Sequence, residues 1–428
     1  MMRIGQLRSK RVSSRAWLRW ALILACSLMS SQAFADSDNY VDVTRGRALT
    51  TAGDCVACHT APGGQPFAGG LALQTPFGPI MTPNITPDEA TGIGSWTSDD
   101  FARAMHAGRR PDGSYLYPAF PYPYYTKVSR EDVDAIYTYL KTLSPVSNSV
   151  NRRTLPFPFN IRMAMIGWNA LFFTPGRFVP DPKRTDEFNW GAYLVEGLGH
   201  CGACHTPMNA FGANKASQYL QGNQITGWTA PNITNDARLG LGNWSVEDIV
   251  QYLKTGQTRT SYASGPMKEV VENSTSKMSD ADLKAMAVYL KERGEAGAAA
   301  PAPVAASDPR MQVGEAIFID TCAACHTRSG DGIGHMFPKL AGNAVVNQDD
   351  PTTLVRIILA GTQGAATDEN PTAPAMPSFG FRLTDDQAAA VVTYIRNSWG
   401  NAASAVGADT IKNIRSQASV PVQQAGAR

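Results

Sequence analysis

Cys55–Thr60 reads CVACHT, Cys201–Thr206 reads CGACHT and Cys322–Thr327 reads CAACHT, so one hexapeptide pattern occurs three times in a chain of 428 residues. In each copy two cysteines are separated by two residues, and a histidine follows the second cysteine directly. The chain contains only 7 Cys and 6 His, too few for three accidental matches. Every cysteine except Cys26 belongs to one of these motifs, so the motifs indicate what the cysteines do.

The C-x-x-C-H spacing is typical of covalent c-type haem attachment. Two thiols reach the two vinyl groups of one porphyrin, while the neighbouring imidazole lies under the iron as its proximal ligand. The sequence therefore predicts three covalently bound haem c groups per chain. The residues expected to attach the porphyrins are Cys55, Cys58, Cys201, Cys204, Cys322 and Cys325, and those expected to bind iron are His59, His205 and His326.

Three other uses of closely spaced cysteines fit less well. A structural zinc site needs four converging ligands, usually from paired knuckles, whereas each motif here stands alone in the sequence. A thioredoxin-like pair needs a surrounding βαβ pattern, which no copy has. Three identical pairs of closely spaced thiols would also make a poor disulfide framework.

The N-terminus has the pattern of a secretory signal. Basic residues between Arg3 and Arg19 precede the apolar run ALILACSLM at 21–29, and small residues follow at Ala33–Ala35. Residues 1–35 are therefore predicted to be a signal peptide that is cleaved after Ala35. Cys26, inside the apolar run, is the alternative site of a lipid anchor.

Hydropathy and net charge bear on membrane insertion and on nucleic-acid binding. No later stretch reaches the roughly 18 apolar residues that a membrane helix requires. The mature chain is therefore expected to be soluble or peripherally attached to a membrane. The formal net charge of +2 at pH 7 gives no argument for nucleic-acid binding.

More than the haem motif repeats along the chain. Ser129, Ser279 and Thr384 each begin an S/T-x-x-D or S/T-x-x-Q pattern that is followed by apolar residues at helical spacing, which is an N-capping signature. Upstream of each motif, a helical stretch contains a glycine that would let the first and last helices of a unit cross closely. These glycines are Gly46, Gly191 and Gly314.

The repeats predict a mostly α fold with three tandem haem domains. Each unit of about 100 residues would bury only a modest apolar core by itself, and a haem would complete it. The predicted segments are a signal peptide (1–35), domain 1 (36–145), an apolar connection (146–185), domain 2 (186–293), an Ala/Pro-rich linker (294–309), domain 3 (310–400) and an amphipathic C-terminal tail (401–428). We expect the connection to pack into a domain core or, failing that, on a partner. The segment from Met163 to Phe173 and the tail also favour attachment over a free-standing soluble carrier.

A second axial ligand is expected for an electron-transfer haem, and methionine in that position raises the potential. Met376 lies eight residues before the cap residue Thr384 in the loop PAMPSF, where a sixth ligand is expected. In the second unit Met267, in SGPMKE, is the better candidate, because Met278 directly precedes its cap and fits a hydrophobic staple.

The first unit departs from this pattern, because Phe120 stands in the loop YPAFPY where a methionine is expected. Met81, Met105 and His106 are the remaining ligand candidates, and an open iron is the fourth alternative. Met105 aligns with apolar residues of the other units, whereas no shared packing role explains His106, which makes His106 the first choice. The other two histidines, His200 and His335, are interpreted as loop or surface residues.

Several longer stretches carry a family resemblance. TPNITPDEATGIG at 82–94, LYPAFPY at 116–122, PFPFNIRMAMIGWNALFF at 156–173 and YLVEGLGHCGACHTP at 193–207 accompany the three motifs. Together they resemble the triheme cytochrome c subunits of bacterial membrane-associated dehydrogenases, and the resemblance covers residues 40–400. It implies three cytochrome c-like domains on the periplasmic side of the inner membrane.

The resemblance also implies the partners. A separate catalytic subunit, which is a quinoprotein, a flavoprotein or a molybdenum hydroxylase, would supply electrons that leave for ubiquinone or a terminal oxidase. Phe120 departs from the methionine of alcohol dehydrogenase relatives, which weakens the alcohol assignment. The chain alone is not expected to oxidise an organic substrate. A free-standing soluble carrier and a haem enzyme that uses an open first haem are the competing classes.

Overall fold

The computed structural model describes residues 40–225, 227–294 and 299–418. The predicted signal peptide, its cleavage site and Cys26 lie outside these residues. Within them the chain is mostly helical, as predicted, and its strands form three separate two-stranded antiparallel sheets. No helix in the described ranges is long and apolar enough to cross a membrane.

The first unit begins with helix α1, which covers residues 40–52 of the described chain. It continues with α2 (Cys55–Cys58), β1 (Ala72–Leu73), β2 (Ile80–Met81), α3 (Ser98–Ala107), α4 (Tyr122–Tyr125) and α5 (Arg130–Lys141). The connection to the second unit carries one helix, α6 (Met165–Phe172).

The second unit repeats this order of elements, whereas the two strands of the third unit lie directly before its last helix. The second contains α7 (Asp186–Tyr193), α8 (Gly202–His205), β3 (Asn223–Ile225), β4 (Trp228–Ala230), α9 (Val246–Thr255), α10 (Pro266–Asn273) and α11 (Asp280–Lys291). The third contains α12 (Pro309–Ile317), α13 (Ala323–His326), α14 (Ala344–Asn347), α15 (Thr352–Ala360), β5 (Thr362–Gln363), β6 (Ala375–Met376) and α16 (Asp385–Arg396), and α17 (Ala408–Ala418) follows it.

The predicted caps begin the last helix of every unit. The hydroxyl groups of Ser129, Ser279 and Thr384 accept hydrogen bonds from the backbone N–H three residues later, at 3.1, 3.1 and 3.2 Å. The helices that follow, α5, α11 and α16, each have 12 residues. The N-capping signature therefore located the start of each helix correctly.

The predicted glycines lie where the first helix of a unit crosses the last. A β-carbon at Gly46, Gly191 or Gly314 would collide with a backbone carbonyl oxygen of the crossing helix. The carbonyls belong to Ala135, Ala285 and Ala390. Any side chain at these positions would force the two helices apart, so the glycines set the helix pair that supports each motif.

The second unit lies between the other two. Ser274 donates a hydrogen bond to the Ala52 carbonyl of the first unit at 3.4 Å. On the other side, Thr229 and Thr353 exchange two hydrogen bonds, of 2.8 and 3.0 Å, between the second and third units. Among the hydrogen bonds and ion pairs of the described residues, none joins the first unit to the third.

Two expectations about apolar segments are wrong. The connection does not pack into a domain core, because Phe157, Met163 and Leu171 are 79%, 64% and 76% exposed. The apolar face of the tail does not favour membrane attachment, because Ile411 and Ile414 on α17 are buried in the core of the third unit.

Candidate haem-binding sites

A short helical turn presents each motif. The turns α2, α8 and α13 hold the two cysteines close to the following histidine, and in the second and third units a π-helical turn (Leu194–Leu198 and Phe318–Cys322) joins the preceding helix to the motif. Such π turns are frequent at functional sites. No disulfide joins any of the six motif cysteines.

The three motif histidines share one geometry. Their Nδ1 atoms donate hydrogen bonds to backbone carbonyl oxygens at 2.7, 2.7 and 3.0 Å. Because a carbonyl oxygen only accepts, the proton lies on Nδ1 and the lone pair on Nε2, which has no hydrogen-bond partner among the described residues. The histidine–proline pairs are His59 with Pro83, His205 with Pro231, and His326 with Pro338.

This geometry suits iron ligation. A second hydrogen bond that fixes the tautomer and orientation of the ring is the usual support for a metal-binding histidine. Burial lowers the pKa of His59, His205 and His326. The rings are therefore neutral at pH 7 and present Nε2 as a ligand.

Several of the motif thiols have a raised pKa. Burial raises the pKa of Cys55 and Cys201 to about 12, and the nearby Asp54 side chain adds to the increase at Cys55. The Asp54 carboxyl is itself buried and its pKa is raised by that burial.

The proline carbonyls were missed from the sequence. PNIT recurs at Pro83 and Pro231, and this repeat was a usable signal for the first two sites. The third unit has no PNIT, and Pro338 in FPKL supplies the equivalent oxygen. A backbone acceptor leaves no side-chain signature, so only the recurrence of the proline marks it.

The loops opposite the proximal histidines align by their backbone hydrogen bonds. Leu116 N–H donates to the Gly108 carbonyl at 2.8 Å, and Ala263 N–H donates to the Gly256 carbonyl at 2.7 Å. Four residues further on, the first unit has Phe120 and the second has Met267. The structure therefore places Phe120 at the methionine position, in agreement with the alignment from the sequence.

His106 does not have a free nitrogen for iron. Its Nε2 donates a hydrogen bond to the Val128 carbonyl at 3.0 Å, and its Nδ1 accepts one from the Arg177 guanidinium. Lys254, its counterpart in the second unit, donates to the Met278 carbonyl at 2.9 Å in the same way. The geometry argues against the ligand role expected for His106 and gives the residue a structural one, which is to fix the chain before the last helix.

The two remaining methionines of the first unit are also poorly placed. Met105 is buried in the apolar core of this unit, like its counterparts Leu253 and Ile358. Met81, in β2, lies two residues before Pro83, which holds the proximal histidine, so it belongs to the proximal side of the site. A sixth ligand must approach from the opposite side.

The first and second motifs adjoin each other. The His200 ring, next to Cys201, lies 3.4 Å from the Gly53 carbonyl oxygen and packs edge-on against Tyr125 of the first unit, with ring centroids 5.6 Å apart. His200 is therefore part of the contact between units and not a surface residue. A cavity of about 200 Å³ lies beside the second motif, and its walls include Tyr124, Trp168 and Phe172.

Comparison with known proteins agrees with this arrangement. The cytochrome c family matches residues 43–144 and 311–399. The gluconate 2-dehydrogenase cytochrome c subunit of Pantoea cypripedii is 41% identical, with 95% of this chain and 97% of the relative covered. The cytochrome c subunit of alcohol dehydrogenase (quinone) from Gluconobacter oxydans strain 621H is 38% identical, with coverages of 99% and 93%.

A third relative, the fructose dehydrogenase cytochrome subunit of Gluconobacter japonicus, is 39% identical, with 87% of this chain and 82% of the relative covered. These relatives share nearly the whole chain, and their names agree on a cytochrome subunit that works with a dehydrogenase. Cytochromes c bind haem c covalently through the motif found here. The chain belongs to the family of cytochrome c subunits of bacterial dehydrogenases.

Proposed function

We propose that this chain is a triheme electron-transfer subunit, which accepts electrons from a separate catalytic dehydrogenase subunit and delivers them to ubiquinone or a terminal oxidase. The observation that carries the proposal is the threefold recurrence of a C-x-x-C-H motif whose histidine donates Nδ1–H to a proline carbonyl. When bound, each haem supplies a one-electron ferric/ferrous couple. The protein holds the three sites and sets their spacing and ligands.

The contacts between units support an order for the path. The first and second motifs meet at His200 and Gly53. The loop that carries Pro338 continues into Lys339, whose N–H donates to the Thr260 carbonyl of the second unit at 3.0 Å, in the loop that precedes Met267. The proposed path therefore runs between the first and third sites through the second.

The sixth ligands follow from the aligned loops. Met267 and Met376 are proposed as the sulfur ligands of the second and third irons. Because the geometry of the first unit speaks against His106, Met105 and Met81, the first iron is proposed to have no protein ligand opposite His59. An open iron of this kind binds small ligands such as carbon monoxide when reduced.

The catalytic partner is proposed to be a quinoprotein, flavoprotein or molybdenum hydroxylase, and the protein to be exported and attached peripherally at the periplasmic side of the inner membrane. Two observations support a quinone as acceptor. The Gluconobacter oxydans relative carries the word quinone in its name, and the aromatic cavity beside the second motif has room for a planar ring.

A reductive titration tests the proposed function. The purified holoprotein should take up three electrons per chain in three one-electron steps, and the intact complex should then reduce a soluble ubiquinone analogue. Uptake of fewer electrons would contradict the triheme assignment. Reoxidation of the complex by an oxidase preparation but not by the quinone analogue would assign the acceptor role to the oxidase.

A further inference from the structure

An apolar surface runs along the connection between the first two units, and it contains none of the motif residues or proposed iron ligands. We call it the α6 surface. Its side chains are 45% to 79% exposed, and Phe157 and Leu171 protrude furthest. The members are Phe157, Phe159, Ile161, Met163, Ile166 and Leu171. A contiguous exposed group of large apolar side chains is rare on a protein surface and marks an interaction site.

The α6 surface is fixed to the molecule. The Tyr117 hydroxyl donates to the Phe159 carbonyl at 2.8 Å, and the Tyr122 hydroxyl donates to the Asn169 side chain at 2.5 Å. On the side of the second unit, the Trp168 indole N–H donates to the Phe211 carbonyl at 3.0 Å. Anchors in both units hold the exposed side chains in place, so binding them costs little conformational entropy.

The charge around the α6 surface has one sign. Residues 146–180 contain four arginines and no Asp or Glu. Arg177 is used inside the protein by His106 and by the Thr126 carbonyl. Arg152 and Arg153 are exposed, Arg162 stacks over the Tyr117 ring at 4.5 Å, and among the described residues no carboxylate pairs with any of these three. Arg152 lies near the Asp112 carboxylate, which pairs with Arg110, so Arg153 and Arg162 are the two that lack an anionic partner among the described residues.

Apolar side chains that protrude between unpaired arginines match the boundary of a bilayer, where acyl chains lie below anionic phosphate groups. The arginine stems pack along apolar surface while their guanidinium groups reach phosphate. A protein partner would have to offer an acidic and an apolar patch in the same register, whereas an anionic bilayer offers both everywhere.

We propose that the α6 surface inserts into the headgroup region of a membrane that contains anionic phospholipid. The proposal rests on the peripheral attachment proposed above and names the surface responsible for it. The aromatic cavity lies on the inner side of the same helix, because Trp168 and Phe172 line it. Docking through this surface would therefore bring the cavity close to the lipid phase.

Vesicle co-sedimentation tests the proposal with the full-length holoprotein. Vesicles of phosphatidylglycerol and phosphatidylcholine should bind it, and vesicles of phosphatidylcholine alone should bind it less. The double variant Phe157→Ser/Leu171→Ser should lose roughly tenfold or more in partitioning, because two largely exposed apolar side chains no longer enter the lipid. Arg152→Gln/Arg153→Gln should lose mainly the dependence on phosphatidylglycerol.

Phe381→Ser is the matched control, because Phe381 is an equally large side chain, 88% exposed, on the third unit. It should bind vesicles like wild type. Equal binding of wild type and Phe157→Ser/Leu171→Ser would overturn the proposal, as would a double variant that binds vesicles normally but no longer co-purifies with the catalytic subunit. The haem spectrum and electron uptake of the same samples separate a failure here from a failure of the proposed function.

Discussion

The first and second units differ on one side of the haem site and agree on the other. On the proximal side, both present a histidine whose Nδ1 lies 2.7 Å from a proline carbonyl oxygen, and both rest on a glycine at the helix crossing. On the opposite side, Phe120 stands in the first unit where Met267 stands in the second. Lys254 of the second unit is replaced by His106, which makes the same hydrogen bond.

This contrast separates attachment from tuning. The proximal side depends on a helix crossing, a helical turn and one backbone acceptor, and these elements together determine whether a haem is held. The opposite side differs by a single side chain, Phe120 just before α4 and Met267 in the first turn of α10, so a substitution there changes the proposed ligand without altering the helix crossing. Axial-ligand identity is one of the main controls on haem potential.

The largest expected effect tests the shared helix crossing. Gly46→Val and Gly191→Val should each destabilise the protein by at least about 3 kcal/mol, because the new side chain meets a backbone carbonyl and not a movable side chain. Thermal unfolding with detection of haem absorbance measures the loss. Gly167→Ala, where a β-carbon meets nothing within 4 Å, is the control and should unfold like wild type. A stable Gly46→Val protein would show that the crossing is not required.

The second effect exchanges the ligands between the units. Met267→Ala should lose the methionine-to-iron absorption band of the second haem, lower its potential by on the order of 0.1 V and let the reduced protein bind carbon monoxide at a second site. Wild type should already bind carbon monoxide at one site. Phe120→Met should remove that site and add a methionine-to-iron band.

Two results would contradict this account of the first site. If wild-type protein binds no carbon monoxide, the first iron already has a protein ligand. If His106→Ala then exposes the site, His106 is that ligand and the hydrogen bonds to Val128 and Arg177 do not persist in the holoprotein. Leu116→Ala, in the loop that carries Phe120, is the control: it should leave carbon monoxide binding unchanged if the other variants act on the iron and not on the loop as a whole.

The smallest effect concerns His106. His106→Lys should keep the hydrogen bond to the Val128 carbonyl, as Lys254 does in the second unit, whereas His106→Ala should cost about 1–2 kcal/mol for the unsatisfied carbonyl and the lost packing. Neither variant should change the haem spectrum. Urea unfolding measures the difference. Equal stabilities of the alanine and lysine variants would contradict the proposal that His106 and Lys254 have equivalent roles.

The pH dependence of the free energy of unfolding is a second test of the structural role of His106. Burial, and then the positive charge of Arg177, lower the pKa of His106 to about 4 from 6.5. The unfolded chain therefore binds more protons between these two values, and stability is lost as pH falls from about 6.5 towards about 4, by on the order of 2 kcal/mol. The lysine variant stays protonated throughout and should lack this contribution, so the two unfolding curves should diverge only in that window.

Local signals in the sequence were sufficient for most of the fold. The motif, the caps at Ser129, Ser279 and Thr384 and the three glycines act within a few residues or through one helix contact, and the structure agrees with each. The preference for core packing of the connection at 156–173 was wrong, because an apolar run does not show whether it packs into a core or stays exposed. The tail was expected to present an apolar face for attachment. Its Ile411 is instead buried in the core of the third unit, a contact between distant parts of the chain that the sequence does not reveal.

At the candidate site, too, local features were predicted and contacts between distant residues were not. Cysteines and histidines in a fixed pattern predicted the attachment residues, which form closely similar turns in all three units. The proline carbonyls, the unit contact at His200 and the hydrogen-bond role of His106 depend on backbone atoms or on residues far apart in the chain. A single sequence carries no record of such partners, so it predicts a ligand role for His106, whose two ring nitrogens are both hydrogen-bonded in the structure.

Intact-mass spectrometry under denaturing conditions tests the central claim most directly. Denaturation removes any haem that is bound only by coordination, whereas thioether-linked haem stays with the chain. We expect the mature polypeptide with the added mass of three haems, and with two haems for the Cys201→Ser/Cys204→Ser variant. A wild-type mass equal to the bare polypeptide, or to the polypeptide with only two haems, would contradict the account.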